Sequence, residues 1–196
     1  MKSIAIATED ELSEEIAVRL VSDAALRISM KLRKGGSGYL RGSIEKFANM
    51  ALHQPLLIIT DLDAVLSPAR LISQWFGKTQ HPPNLFFHVA VREVEAWILA
   101  DHAGMNNLLG QKIGKLPAAP ETLPDPKASL LGLAGKAPRS IRSELVAERN
   151  SIACQGLGYN ATLCAFVESI WQPKFAAMRS PSLAALMTEL AVFSKT

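Results

Sequence analysis

Apolar and polar residues alternate along the first half of the chain in blocks that predict strands separated by helices. Short apolar runs at residues 4–8, 56–61 and 84–91 predict three β-strands, and the uninterrupted run at 56–59 is typical of a strand buried on both faces. Apolar residues recurring every three or four positions predict helices at 12–30, 43–53, 68–76 and 92–101. Strands that alternate with helices indicate a mostly parallel α/β sheet flanked by helices.

The pattern changes beyond residue 104. Four prolines crowd one connector between residues 117 and 126, and the remaining segments have helical periodicity without a convincing strand. We therefore expect an α/β core at residues 1–103 and a helical C-terminal extension at 104–196. We expect the extension to pack on the core as part of a single structural unit.

Composition narrows the class of protein without naming a function. The 196 residues are 48% hydrophobic and 20% charged, which suits a folded domain with a real core. A net charge of +3 permits a polyanionic partner but does not argue for one. Without a stretch of about 18 uncharged apolar residues, we expect no membrane span and a cytoplasmic location. Cys154 and Cys164 have no metal-ligand spacing, and we expect reduced core thiols.

Acidic residues follow each of the three predicted strands. Glu9 follows the first, Asp61 and Asp63 end the second, and Glu93 or Glu95 follows the third. The carboxyl ends of parallel strands meet at one edge, where open α/β sheets bind ligands. Carboxylates gathered there repel each other unless a cation lies between them, and oxygen ligands favour Mg²⁺ or Mn²⁺. The alternative is that each acid only caps the helix after its strand.

These acids also resemble the motif pattern of a known family. A strand-end glutamate followed by Asp-x-Asp after a later strand is similar to the Toprim pattern. Residues 95–101, Glu-Ala-Trp-Ile-Leu-Ala-Asp, resemble the Glu-Ala-Trp-Leu-Leu-Ala-Asp signature of a bacterial Toprim-like family, itself distantly similar to the overcoming-lysogenization-defect nucleases. The family's opening Glu-Gly-x-Thr-Glu motif is echoed by Glu9, Ser13 and Glu14, with Asp10 in place of the glycine and one residue inserted.

The resemblance covers about the first 100 residues. It implies a Toprim-like, Rossmann-like core and a divalent metal, Mg²⁺ or Mn²⁺, bound by Glu9, Asp61 and Asp63. It also implies that Glu9 and Glu95 contribute to catalysis. For Glu95, the competing interpretation is a surface ion pair with Arg92, which would stabilise the protein little.

Candidate phosphate contacts lie in two places. The segment 31–41 combines basic residues with three glycines, so Lys34 and Arg41 are candidates for binding a nucleic-acid backbone, although a mobile, solvated loop is the favoured interpretation of this composition. Arg92 follows the third predicted strand. It is placed either to contact phosphate or to neutralise the acidic cluster.

The first functional hypothesis is a metal-dependent nuclease or related phosphoryl-transfer enzyme that acts on DNA or RNA. The second is a non-catalytic Toprim-like interaction module in a defence or regulatory assembly. A third, a small-nucleotide phosphatase or receiver-like domain, requires a lysine at a later strand end. It ranks lowest because Arg92 occupies that place.

Overall fold

A computed structural model describes residues 1–33, 35–148 and 151–196. Its centre is a four-stranded, all-parallel sheet with strand order β2-β1-β3-β4. This sheet, with helices around it and a helical C-terminal half, confirms the predicted Rossmann-like α/β class. The strands are β1 (Ser3–Thr8), β2 (Arg27–Leu32), β3 (Leu56–Asp61) and β4 (Leu85–Ala90).

Eleven helices are found among the described residues. A 3₁₀ turn at Gln111–Ile113 precedes the proline-rich connector, and a second, Pro120–Thr122, lies within it. The helices are α1 (Glu11–Asp23), α2 (Gly36–Gly42), α3 (Ile44–Ala51), α4 (Pro68–Phe76), α5 (Val94–Leu99), α6 (His102–Leu109), α7 (Pro126–Ala134), α8 (Arg139–Leu145), α9 (Tyr159–Ser169), α10 (Pro173–Ala176) and α11 (Pro181–Lys195).

The predicted helix at 12–30 is wrong in its second half. Helix α1 ends at Asp23, Ala25 takes a left-handed backbone with φ of 56°, and β2 then pairs with β1 at the edge of the sheet. Four of the six β2 residues are exposed, so the strand lacks an apolar run. No glycine or proline marks the turn. The helical periodicity of α1 therefore continues into the sequence of the strand and hides the boundary between them.

The order of the strands determines where a ligand site can form. The chain passes from β1 through α1 to the outer strand β2, then returns past β1 through α2 and α3 to reach β3. The direction of winding thus reverses between β1 and β3. In open α/β sheets, the crevice beyond the carboxyl ends of two such strands is the usual place for a ligand.

Alternating side chains of the inner strands fill two separate cores. Ile4 and Ile6 point to the face covered by α1, α5 and the C-terminal helices, whereas Ala5 and Ala7 point to the face covered by α2, α3 and α4. Residues 56–59 are all fully buried in the same alternating way. The prediction that this strand is buried on both faces is confirmed.

The C-terminal half packs on the first face of the sheet. Helix α9 contacts α1, and α11 contacts β4. The indole Nε1 of Trp97 in α5 donates to Ser182 Oγ at 2.8 Å, and Trp171 Nε1 donates to the Trp97 carbonyl at 3.3 Å. Both indoles are fully buried, so their hydrogen bonds also fix α5 against the C-terminal helices.

Two expectations about surface properties have separate outcomes. Both cysteines are free thiols, but Cys154 is exposed and only Cys164 is half-buried, so the expectation of two core cysteines is wrong. Among the described helices, none is long and apolar enough to cross a membrane.

Replacing Gly104 tests the packing of α6. An added Cβ would clash with the Asp101 carboxylate and lie 3.1 Å from Phe166 Cζ. The Asp101 carboxylate cannot retreat, because it accepts hydrogen bonds from the Gly104 and Gln172 amides at 3.0 and 2.8 Å. We expect Gly104→Ala to lower the free energy of unfolding by about 1–3 kcal/mol in urea titration.

The matched control is Gly132→Ala in the last turn of α7, where an added Cβ meets no atom within 4 Å. This change should raise stability by up to about 1 kcal/mol, since alanine is the better helix former. Equal effects of the two substitutions would contradict the packing described for α6.

Candidate functional site

Glu9 and Asp61 meet at the point where the winding of the sheet reverses. Thr8 pairs with Ile59 in the register of β1 and β3, which places Glu9 opposite Thr60. The Glu9 Oε1 atom accepts a hydrogen bond from the Asp61 amide at 3.0 Å and another from the Thr60 hydroxyl. The Glu9 carboxylate is thus held across the ends of two adjacent strands.

The Asp61 carboxylate connects this pair to a third segment. Its Oδ1 accepts a hydrogen bond at 3.0 Å from the amide of Val94, the first residue of α5. Burial, together with the negative charges of Glu95 and Glu9, holds the pKa of Asp61 well above its usual range. The pKa of Glu9 is also raised, chiefly by burial and against its two hydrogen bonds. A positive charge placed beside either carboxylate would therefore stabilise its ionised form.

Glu95 lies in the first turn of α5 and is only 5% exposed. Its Oε1 accepts a hydrogen bond from the Tyr159 hydroxyl at 2.8 Å and lies 3.7 Å from Lys127 Nζ. Burial raises the pKa of Glu95, while Lys127 and the Tyr159 hydrogen bond oppose that rise. The competing ion pair with Arg92 is not formed. Both partners come instead from the C-terminal half.

The helix-cap alternative holds for some acids and not for others. Asp10 caps α1, because its Oδ1 accepts from the Ser13 amide at 2.8 Å. Glu93 accepts from the Lys127 amide at 2.9 Å, in the first turn of α7. Asp61 accepts a hydrogen bond from an amide of α5, which is distant in sequence. Glu9 accepts its hydrogen bonds from residues at the end of β3. The two acids at the switch point therefore do more than cap the helices that follow them.

Asp63 differs from Asp61 in its surroundings. Strand β3 ends at Asp61, and Asp63 is an exposed residue with a left-handed φ of 50°. Its amide donates to the Arg92 carbonyl at 3.0 Å. In a strand that continued through both residues, Asp61 and Asp63 would point to the same face. The strand stops at Asp61, so an expectation of this kind from the Asp-x-Asp spacing is wrong.

The candidate phosphate contacts lie in different environments. The Arg92 guanidinium donates to the Asp63 and Val65 carbonyls at 3.0 Å each, which clamps the loop after β3. Arg41 is exposed and lines an open groove of about 890 Å³ between α3 and α4. Lys34 lies outside the described residues.

A depression of about 550 Å³ opens beside the acids. It is lined by Glu9, Asp10, Glu11, Arg33, Gly35, Gly36 and Asn160 of α9. Carboxylates thus line this space, and the Arg33 guanidinium that also lines it is paired with the Glu14 carboxylate. Its volume falls within the range of about 300–1,000 Å³ that is typical of small-molecule sites.

The donor atoms at the switch point fit a hard divalent cation. Over residues 1–33, 35–148 and 151–196, no group of three or more His, Cys, Asp and Glu side chains forms a ready-made metal cage. Mg²⁺, however, usually takes one or two carboxylates and keeps several waters. Glu9 and Asp61 offer that pair. The residues therefore fit a largely hydrated Mg²⁺ or Mn²⁺ ion and not an ion fully enclosed by protein.

Comparison of this chain with models of known protein families, with curated proteins and with solved structures finds no match. The Toprim-like family thus stays a prediction, based on the strand-end acids and the signature at residues 95–101.

Sequence reasoning missed the two C-terminal partners of Glu95. Lys127 and Tyr159 lie 32 and 64 residues beyond it. No spacing rule connects residues of different helices at such separations. The only local signal is the helix start at Asp125-Pro126, which places Lys127 in the first turn of α7.

The raised pKa values predict how stability depends on pH. A carboxyl whose pKa is higher in the folded than in the unfolded protein stabilises the fold below about pH 4, and this contribution is lost as the pH rises through the folded pKa. Asp61→Asn keeps the acceptor for the Val94 amide but removes the charge. We expect the variant to be roughly 0.5–2 kcal/mol more stable than wild type near neutral pH.

Thermal unfolding followed by circular dichroism from about pH 4 to about pH 8 measures this effect. The control, Asp63→Asn, makes the same change at the exposed residue, and asparagine tolerates its left-handed backbone. A wild-type curve that does not fall with rising pH, or an unaltered slope in Asp61→Asn, would contradict the described burial.

Proposed function

We propose that this chain is a divalent-metal-dependent phosphoryl-transfer enzyme, most simply a nuclease that cleaves DNA or RNA. One observation carries the proposal: Glu9 is bonded to the Asp61 amide at the switch point, and burial beside Glu9 and Glu95 raises the pKa of Asp61. Crowded carboxylates are costly in a protein that binds no cation. The Toprim-like pattern of the same acids supports this proposal.

Each acid has a distinct part in the proposed reaction. Glu9 and Asp61 hold the cation, and the exposed Asp63 is able to join them. A bound Mg²⁺ or Mn²⁺ ion supplies charge neutralisation of the phosphodiester and a water of lowered pKa. Glu95 is the auxiliary acid, with its orientation fixed by the Tyr159 hydroxyl. Lys127, which is partly exposed beside Glu95, offers a positive charge to the phosphate.

A non-catalytic interaction module in a defence or regulatory assembly is the second candidate. The observation in its favour is that Glu95 is already engaged by Lys127 and Tyr159, so one acid of the cluster is neutralised within the protein. Such a module would keep the sheet and the acid pair but would not turn over substrate. Metal binding separates the two candidates.

The first experiment is cleavage of labelled DNA and RNA, single- and double-stranded, in Mg²⁺ or Mn²⁺. We expect Asp61→Asn to lose at least about a hundredfold in rate, because a charge that stabilises the reacting centre is removed. The control is Asp23→Asn. Asp23 ends α1 shortly before the start of β2, and so lies away from the carboxyl ends of the strands. Cleavage that survives in Asp61→Asn would show that the site lies elsewhere.

The second experiment is calorimetric titration of the wild-type protein with Mn²⁺, together with thermal unfolding. Binding to the folded state should raise the melting temperature, and Asp61→Asn should abolish both signals. A correctly folded wild-type protein that binds no Mn²⁺ at millimolar concentration would favour the interaction module.

A further inference from the structure

Positive charge is concentrated in two segments of the C-terminal half. Residues 102–120 and 126–143 contain six of the 21 Lys and Arg residues and none of the 18 Asp and Glu residues. The rest of the chain consequently has a net charge of −3. The modest overall charge of +3 therefore conceals a strongly basic part and an acidic part.

The fold brings the two basic segments together. Gly110 and Gly114, with φ of 84° and 101°, flank the 3₁₀ turn in the first segment. A Cβ built on Gly114 would lie 3.7 Å from Lys136 Nζ, and one on Gly110 would lie 3.7 Å from the Pro138 ring. The turn between α7 and α8 thus packs directly on the segment that contains Lys115.

Four exposed cations mark this place, and we name them the basic ridge. No ion pair to a carboxylate is found for any of the four within the parts of the chain that the structure describes. The nearest acid after them in sequence, Glu144, has its carboxylate against Gly158. The ridge consists of Lys115, Lys136, Arg139 and Arg142.

The basic segment at residues 31–41 is different, and the expectation that it is a loop is wrong, because it includes the end of β2 and most of α2. Lys31 Nζ lies 3.3 Å and Arg33 Nε 3.1 Å from the Glu14 carboxylate, so these two cations are compensated within the protein. Cations held near each other without a carboxylate repel one another and attract polyanions. The basic ridge is therefore the better surface for a phosphate backbone.

Helix α7 leads from the basic ridge to the candidate metal centre. Its second residue, Lys127, donates its amide to Glu93 and places its Nζ 3.7 Å from Glu95. Nine residues of α helix span about 13 Å, the length occupied by about four phosphates along one strand of B-DNA. A backbone held at the ridge would reach the acids within that distance.

We propose that the basic ridge is the docking surface for the phosphate backbone of a nucleic acid and that α7 guides this backbone toward Glu9 and Asp61. The direction along α7 rests on the proposed function, whereas docking at the ridge needs neither metal nor turnover. The two are therefore separable by experiment.

The test reverses two charges of the ridge in the full chain, Lys136→Glu with Arg139→Glu. Binding of a fluorescein-labelled DNA duplex is followed by fluorescence anisotropy in EDTA at several salt concentrations. We expect at least a tenfold weaker affinity at about 100 mM salt, and a slope of log K against log salt that is smaller by roughly 2.

The matched control is Lys46→Glu with Arg70→Glu, which makes the same charge change at exposed residues of α3 and α4. We expect less than a twofold change in affinity for this variant. Circular dichroism verifies that both double variants are folded. Equal weakening by ridge and control variants, or no weakening by the ridge variant, would overturn the proposal.

Three other outcomes would each support or overturn part of the proposal. Wild-type protein that binds anionic lipid vesicles but no DNA or RNA would overturn nucleic-acid docking in favour of a membrane surface. Wild-type protein that binds DNA through the ridge but never cleaves it with Mn²⁺ would leave docking intact and remove the nuclease. If the ridge variant still bound and cleaved DNA like the wild type, docking at the ridge would be overturned and the proposed nuclease would stand.

Discussion

The rest of the site depends on the hydrogen bond from the Asp61 amide to the Glu9 carboxylate. Parallel pairing of β1 with β3 places Glu9 opposite Thr60, so its carboxylate occupies the crevice at the switch point. Asp61 then has a second negative charge beside it and a third at Glu95. An arrangement that raises the pKa of acids works against stability, which is the usual cost of a functional site.

The C-terminal half completes this arrangement. Three residues of the family-like signature form side-chain hydrogen bonds with it: Glu95 with Tyr159, Trp97 with Ser182, and Asp101 with the Gln172 amide. All three are buried, so these hydrogen bonds join α5 and the residues after it to the extension. The signature therefore reports packing against the extension as much as it reports chemistry.

Much of the core could be predicted from sequence, because β3 and α4 have clear apolar patterns. Edge strand β2 could not be predicted, because four of its six residues are exposed and no glycine or proline marks the turn before it. Within the site, Glu9 and Asp61 were predictable from their places after strands. The partners of Glu95 were not, because Lys127 and Tyr159 reach it only through tertiary packing of α7 and α9.

Separation of charge connects the two proposals. The strand-end acids alone would repel a phosphate backbone, so a polyanion needs attraction from elsewhere on the surface. The basic ridge supplies it about one helix length away, and Lys127 is the cation closest to the acids. The nearness of the α7–α8 turn to Gly110 and Gly114 was invisible in the sequence, because it arises only in the tertiary fold. The same separation explains why a net charge of +3 is a poor guide to the partner of this protein.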